Sequence, residues 1–283
     1  MSPLRVALQL GEGAAEASAW PQALAGAAAA GFDGVVLPLE AALQDFPLAA
    51  APGPVVATWA PGLTDGQAVA EALNGLNPRL DALAARGCGV LVVSEPGVPA
   101  RLRVAGRVQD AGARGLRDEE WRNLAEALDE LGARCRSRGL ALAFAPRAGS
   151  WIETPVELKR LLNGTEAELV GLSLDTGHVA YGGGNAAGAV ETWRWRLRHV
   201  HLQGLDTAVL DTVLRHGLGL EEALRRGVFA LPAASHLAAR LVVEALAAGE
   251  FDGWLSLGPA AEGPAREARA AVAAWAGGAS QGG

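Results

Sequence analysis

Eight short apolar runs alternate with helical segments along this chain, and that alternation restricts it more than any other feature. The runs fall at residues 4–10, 32–38, 54–60, 89–94, 140–146, 169–174, 197–202 and 253–257. They are apolar at successive positions rather than at every second one, which implies parallel strands covered by helices on their outer side. Between them an Ala-rich helix is expected near 16–30, closing at Gly31, and another over 67–86, closing at Gly87. A long helix is expected over 118–138, with Asp118, Glu119 and Glu120 in its first turn and Arg134, Arg136 and Arg138 in its last, as the helix dipole favours. Further helices are expected over 153–162, around Trp193 and Trp195, within 205–226, over 236–248 and over 264–275. Eight strands with helices between them in 283 residues make an α/β fold, a single (β/α)8 TIM barrel. The domain is expected to span residues 1–276, with 277–283 as a flexible C-terminal tail.

Charge and cysteine content narrow the partners. A net charge of -7, with Lys159 as the lone lysine, argues against a nucleic-acid partner, whose binding rests on clustered Lys and Arg. No run of about 18 apolar residues marks a membrane span, and the N-terminus lacks the pattern of a secretory leader. Cys88 and Cys135 are too few for a disulfide framework and sit in apolar or helical contexts, so they read as inert thiols in a cytoplasmic protein. A homodimer is compatible with this composition.

The chemistry-bearing residues concentrate between 139 and 206. Glu153 follows the fifth strand, Asp175 ends the sixth, and His201 lies near the end of the seventh, so a closed barrel would carry all three to its carboxyl mouth. Two carboxylates and an imidazole form an oxygen and nitrogen set suited to Mn, Mg, Co or Zn. Each residue also has a plainer reading: Glu153 as a first-turn helix acid, Asp175 as a turn acid, and His201 as a packed imidazole. His199 and His201 share one strand face across Val200. His178, three residues past Asp175, is placed to bind a substrate hydroxyl or polarise a carbonyl, or else is a surface loop histidine. Trp121, Trp193, Trp195 and Trp275 read as core or interface anchors, and Trp151 as the better candidate to stack on a sugar face. The irregular segment 95–117 is expected over the mouth, with Arg101, Arg103, Arg107 and Arg114 near it.

Several stretches carry a resemblance: Gly106-Arg107, 116–121, Gly149-Ser150-Trp151-Ile152-Glu153-Thr154, 170–178, His199-Val200-His201-Leu202, 227–229 and 251–255. Taken in order, the chain resembles the xylose-isomerase-like barrel superfamily of sugar isomerases and epimerases, and most of all its inosose dehydratase branch. The resemblance implies metal ligands at Glu153, Asp175 and His201, a fourth carboxylate at the end of the eighth strand, and His178 facing substrate. It also shows departures. Ala145-Pro146-Arg147 stands where relatives carry a His-Pro-His-like group, Gln203-Gly204 where they carry Lys-Asp, and Gly258 where the last carboxylate would fall.

Two functions follow. One is a sugar or polyol isomerase or dehydratase using metal-assisted proton abstraction beside a carbonyl, with Glu153 and His178 catalytic and Trp151, Gln203, Arg147 and Arg107 binding substrate. Its divalent metal would be weakly held or absent, and two-base epimerisation is disfavoured with only Glu153 left of the two flanking acids. The other is a noncatalytic barrel descendant that binds a sugar or a partner. A DNA-repair nuclease of the same fold is disfavoured by the acidic charge.

Overall fold

Closure of the barrel follows from strands that are buried on both faces. The computed structural model describes residues 4–10, 20–44, 53–233, 237–259 and 262–279. Its strands are β1 (Arg5–Gln9), β2 (Gly34–Pro38), β3 (Pro54–Trp59), β4 (Val90–Val93), β5 (Ala141–Phe144), β6 (Val170–Asp175), β7 (Leu197–His201), β8 (Gly204–Leu205), β9 (Phe229–Ala230) and β10 (Trp254–Leu257). The eight longer ones form a closed parallel barrel in the order β1-β10-β7-β6-β5-β4-β3-β2, and β8 and β9 pair as a small antiparallel ribbon beside it. The helices are α1 (Trp20–Ala29), α2 (Leu39–Ala42), α3 (Gly66–Leu73), α4 (Leu76–Ala85), α5 (Pro99–Leu102), α6 (Asp118–Arg136), α7 (Pro155–Asn163), α8 (Thr176–Tyr181), α9 (Ala186–Trp193), α10 (Thr207–Arg215), α11 (Leu220–Arg225), α12 (Leu237–Ala248) and α13 (Glu262–Ala279). The fold is the single (β/α)8 TIM barrel expected.

Alternation along each strand divides the apolar side chains into two cores. Ala7, Val36, Val56, Val90, Val92, Ala143 and Ala145 face the barrel interior, while Leu8, Leu37, Leu91, Phe144, Leu174, Val200 and Leu257 pack outward beneath the helices. Trp254 packs on the inner cluster, and the Arg5 guanidinium lies 4.8 Å from the centre of its ring.

Four expectations change. The helix expected over 67–86 is broken into α3 and α4, because Gly75 adopts φ 65° and caps the second helix in a left-handed conformation. Segment 95–117 contains α5. Glu153 lies outside its helix, since Thr154 is the cap: its hydroxyl accepts the Glu157 N–H while Glu157 accepts the Thr154 N–H, and Pro155 begins the first turn. Gly277 and Gly278 belong to α13 rather than to a tail, and 280–283 lie outside the described residues, as do 11–19, where the first helix was expected to start. Among the described residues no helix is long and apolar enough to cross a membrane. Cys88 and Cys135 are free and buried, and burial pushes their thiols up to about 11 and about 12.

Candidate functional site

Asp175, His178 and His201 are brought together at the carboxyl end of β6 and β7. Asp175 ends β6 opposite His201 and caps α8, its Oδ1 accepting the His178 N–H at 3.0 Å. An aspartate with free helix N–H groups ahead of it makes this cap readily, and the cap fixes where the His178 ring goes. His178 Nδ1 accepts the Ala148 N–H at 3.1 Å, so the neutral ring carries its proton on Nε2. Phe229, from the small ribbon, lies 4.7 Å from the imidazole centre to centre. Burial pushes His178 down to about 4, against the pull of Asp175 and with the push of the Arg147 charge.

Below it runs a hydrogen-bonded line of buried side chains. Ser173 Oγ is 2.8 Å from His199 Nδ1, His199 Nε2 is 2.8 Å from Ser256 Oγ, and Ser256 Oγ is 2.9 Å from His201 Nδ1. Ser256 has one proton, so it donates to one imidazole and accepts from the other. Burial lowers the His201 pKa, opposed by the Asp175 charge and by the Gly258 carbonyl within its reach, and takes His199 down to about 3. For Asp175 burial acts upward, but His178, His201, the helix N–H and Arg147 together outweigh it and hold the carboxyl below its usual range. The cluster is therefore one carboxylate among neutral imidazoles.

Glu153 is placed differently. Its Oε1 accepts the Gly106 N–H at 2.6 Å and its Oε2 accepts the Gly149 N–H at 2.7 Å, and it is buried. The carboxylate latches the segment that carries α5 onto the β5–α7 loop. Its own N–H is held by Glu157, and both oxygens of Glu157 also accept from the Arg101 guanidinium, at 2.8 and 3.0 Å. Burial raises the Glu153 pKa, the two N–H groups and Arg101 oppose it, and Glu157 adds to it.

The remaining expected contacts divide. Arg101 is buried against Glu157, and Arg114 pairs with Glu120 and lies 5.0 Å from the Trp151 ring centre, so neither hangs free at the mouth. Trp151 is half-buried, packing partly on the core with the Arg114 guanidinium near its ring. Arg107 has a buried Nε without a partner, and its charge reaches Tyr181, whose hydroxyl is also unpartnered. Gln203 has a buried Oε1 beside Gly177 and Phe229 that accepts no hydrogen bond among the described residues. Arg147 is exposed. Sequence reasoning missed Ser173, Ser256 and Phe229. Ser256 had a signal, as the polar residue in phase with Trp254 in an apolar strand, whereas Phe229 is brought in by a two-residue strand that leaves no periodicity.

The xylose isomerase-like TIM barrel family matches residues 24–276. The chain belongs to that family. Inosose dehydratase of Clostridium perfringens is 31% identical over 175 residues, which are 62% of this chain and 59% of that protein, so the match spans less than two thirds of the relative. Among solved structures, 3-keto-D-glucoside 4-epimerase of E. coli superposes with a TM-score of 0.69 at 18% identity, covering 96% of this chain and 99% of that one. A xylose isomerase-like barrel protein of Mycobacterium smegmatis, in complex with magnesium, superposes with a TM-score of 0.66 at 14% identity, covering 98% and 97%.

Whether the residues present fit such an ion is decided by their bonds. Both Glu153 oxygens are engaged by backbone N–H groups and one Asp175 oxygen is spent on its helix, while His201, held at Nδ1 by Ser256, offers one nitrogen. Ala145 and Gly258 supply no side-chain donor. Among the described residues no group of three or more His, Cys, Asp or Glu side chains is set to hold a metal ion. Of the expected trio, Asp175 and His201 meet while Glu153 is engaged by the two backbone N–H groups, and the arrangement does not fit a divalent metal.

Proposed function

We propose that the chain acts on a sugar or cyclic polyol bearing a carbonyl, as an isomerase or a dehydratase of the inosose dehydratase type. The observation that carries this reading is the buried Asp175–His178 pair, in which the helix cap and the Ala148 N–H fix a neutral imidazole beside a carboxylate. His178 Nε2–H is suited to hold a carbonyl oxygen, and Asp175 is the ionised group beside it. Proton loss from the carbon next to the carbonyl, to Asp175, would send the electron pair onto the oxygen held by His178. Transfer of the neighbouring hydroxyl proton to the enolate oxygen, with return of the Asp175 proton to the former carbonyl carbon, would isomerise the substrate, and departure of a β-hydroxyl with the Asp175 proton, as water, would dehydrate it. Gln203 would accept a substrate hydroxyl at its unpartnered oxygen, with Arg107 and Arg147 as further contacts. Glu153 serves this reading as a loop latch rather than as the base. The free buried thiols suit a cytoplasmic setting.

A binding role without turnover is the second reading, favoured by the engagement of both Glu153 oxygens, which leaves one carboxylate in the mouth. Proton NMR in D₂O with scyllo-inosose and D-fructose tests the two. Exchange of the C–H beside the carbonyl, lowered about a hundredfold in His178→Asn, is expected for the enzyme. Binding without exchange in the wild type would leave the second reading.

A further inference from the structure

The bond from the Ala148 N–H to His178 sets the preceding residue, Arg147, at the mouth. β5 pairs with β6 through Phe144 and Leu172. Arg147 lies in the loop three residues past the end of β5 and directly before Ala148, whose N–H meets His178, while on the next strands Asp175 lies opposite His201 and His201 opposite Ser256. The charge of Arg147 is felt by Asp175, His178 and His201 alike. The loop holding it is fixed, with the Arg147 N–H on the Ile152 carbonyl at 2.9 Å and Ser150 Oγ on the Arg147 carbonyl at 2.8 Å. Arg101 and Arg114 are held by glutamates, whereas the exposed Arg147 guanidinium makes no hydrogen bond or ion pair among the described residues.

A monovalent cation carried on a fixed loop at this place works against a divalent ion and in favour of an anion. It repels the ion while the donor set offers little to hold one. It also presents a planar fork of N–H donors matched to a carboxylate or phosphate, and Asp175 and Gln203 remain as acceptors for hydroxyl groups. We propose that Arg147 supplies the positive charge of this mouth in place of a divalent ion, and that the site takes a polyhydroxy compound carrying an oxyanion, without metal. The inference rests on the reading of the mouth as a sugar or polyol site.

Calorimetry on the full chain, stripped with EDTA, tests it with D-gluconate, D-glucose 6-phosphate, neutral myo-inositol and MnCl₂ as separate titrants. One of the two anions is expected to bind about tenfold tighter than myo-inositol, with no change when EDTA is kept present, and which one it is tells carboxylate from phosphate. Arg147→Gln should abolish that preference and leave the thermal midpoint in place, since the side chain is exposed. Micromolar Mn²⁺ binding by the wild type would overturn the inference and leave the polyol reading standing. Equal affinity for charged and neutral polyols, or a preference that survives in Arg147→Gln, would do the same. Failure of all three organic probes to bind would overturn both.

Discussion

At the scale of single residues, Gly258 shows how one position answers two questions. Read against the resemblance it is a missing carboxylate, yet its backbone lies at φ 104°, where residues with side chains are strained. Gly258→Glu should therefore cost about 1–3 kcal/mol in urea unfolding, and without Glu153 free to join it should gain no tight Mn²⁺ site in calorimetry. Glu95 offers a cleaner reading of charge. It is buried just past β4, its Oε1 accepts the Leu63 N–H at 2.7 Å, and burial pushes its carboxyl up from 4.5 to about 7. The folded state thus holds this proton more tightly than the unfolded chain. Its contribution to stability is full below pH 4.5 and lost as pH rises through 7. Glu95→Gln keeps the acceptor and removes the charge, so it should stabilise the protein by roughly 3 kcal/mol at pH 8 and hardly at all at pH 4. Unfolding curves of equal midpoint at pH 8 would show that Glu95 is not held in this way. The placement of Asp175 and His201 at the barrel mouth was legible because strand ends announce themselves. Glu153 was not, because one of its partners is a backbone N–H 47 residues away, and an amide leaves no mark in sequence.

At the scale of elements, the alternation of strands and helices was legible wherever burial imposed a period, and lost where an element was too short to have one. α5, the β8–β9 ribbon and the break at Gly75 all fall in the second group. The consequence is largest for residues 95–117. Their docking rests on the Glu153 latch, on the Val98 N–H bonded to the Gly149 carbonyl at 2.8 Å, and on the buried Arg101–Glu157 pair. Glu153→Gln would turn an amide N–H against one of the two backbone donors that now meet a carboxylate. The variant should lose about 1–3 kcal/mol, and hydrogen exchange at Gly106 and Gly149 should quicken before exchange in β5 or β6. Unchanged protection at both glycines would mean that the latch does not hold the loop.

At the scale of the whole molecule, the barrel interior is divided. β1 to β5 fill their part with Ala7, Val36, Val56, Val90, Val92, Ala143 and Ala145, while β6, β7 and β10 carry Ser173, Asp175, His199, His201 and Ser256. A buried polar line of this kind is satisfied only as a whole, since removal of one member strands its neighbours without water to replace it. Ser256 is the member that two imidazoles share, at 2.8 and 2.9 Å. Ser256→Ala should therefore destabilise the protein by about 1–3 kcal/mol although it deletes a single oxygen. Replacing the line together, as Ser173→Ala, His199→Leu, His201→Leu and Ser256→Ala, extends the apolar filling of the other half around the barrel. Such exchanges of a satisfied polar group for packing are often neutral or stabilising. The fourfold variant should recover the urea midpoint lost by Ser256→Ala while losing polyol binding, because the groups facing the mouth go with it. That pairing would identify the polar half as a feature kept for the ligand at no gain to the fold. A fourfold variant less stable than Ser256→Ala would instead make the line part of what holds the barrel closed.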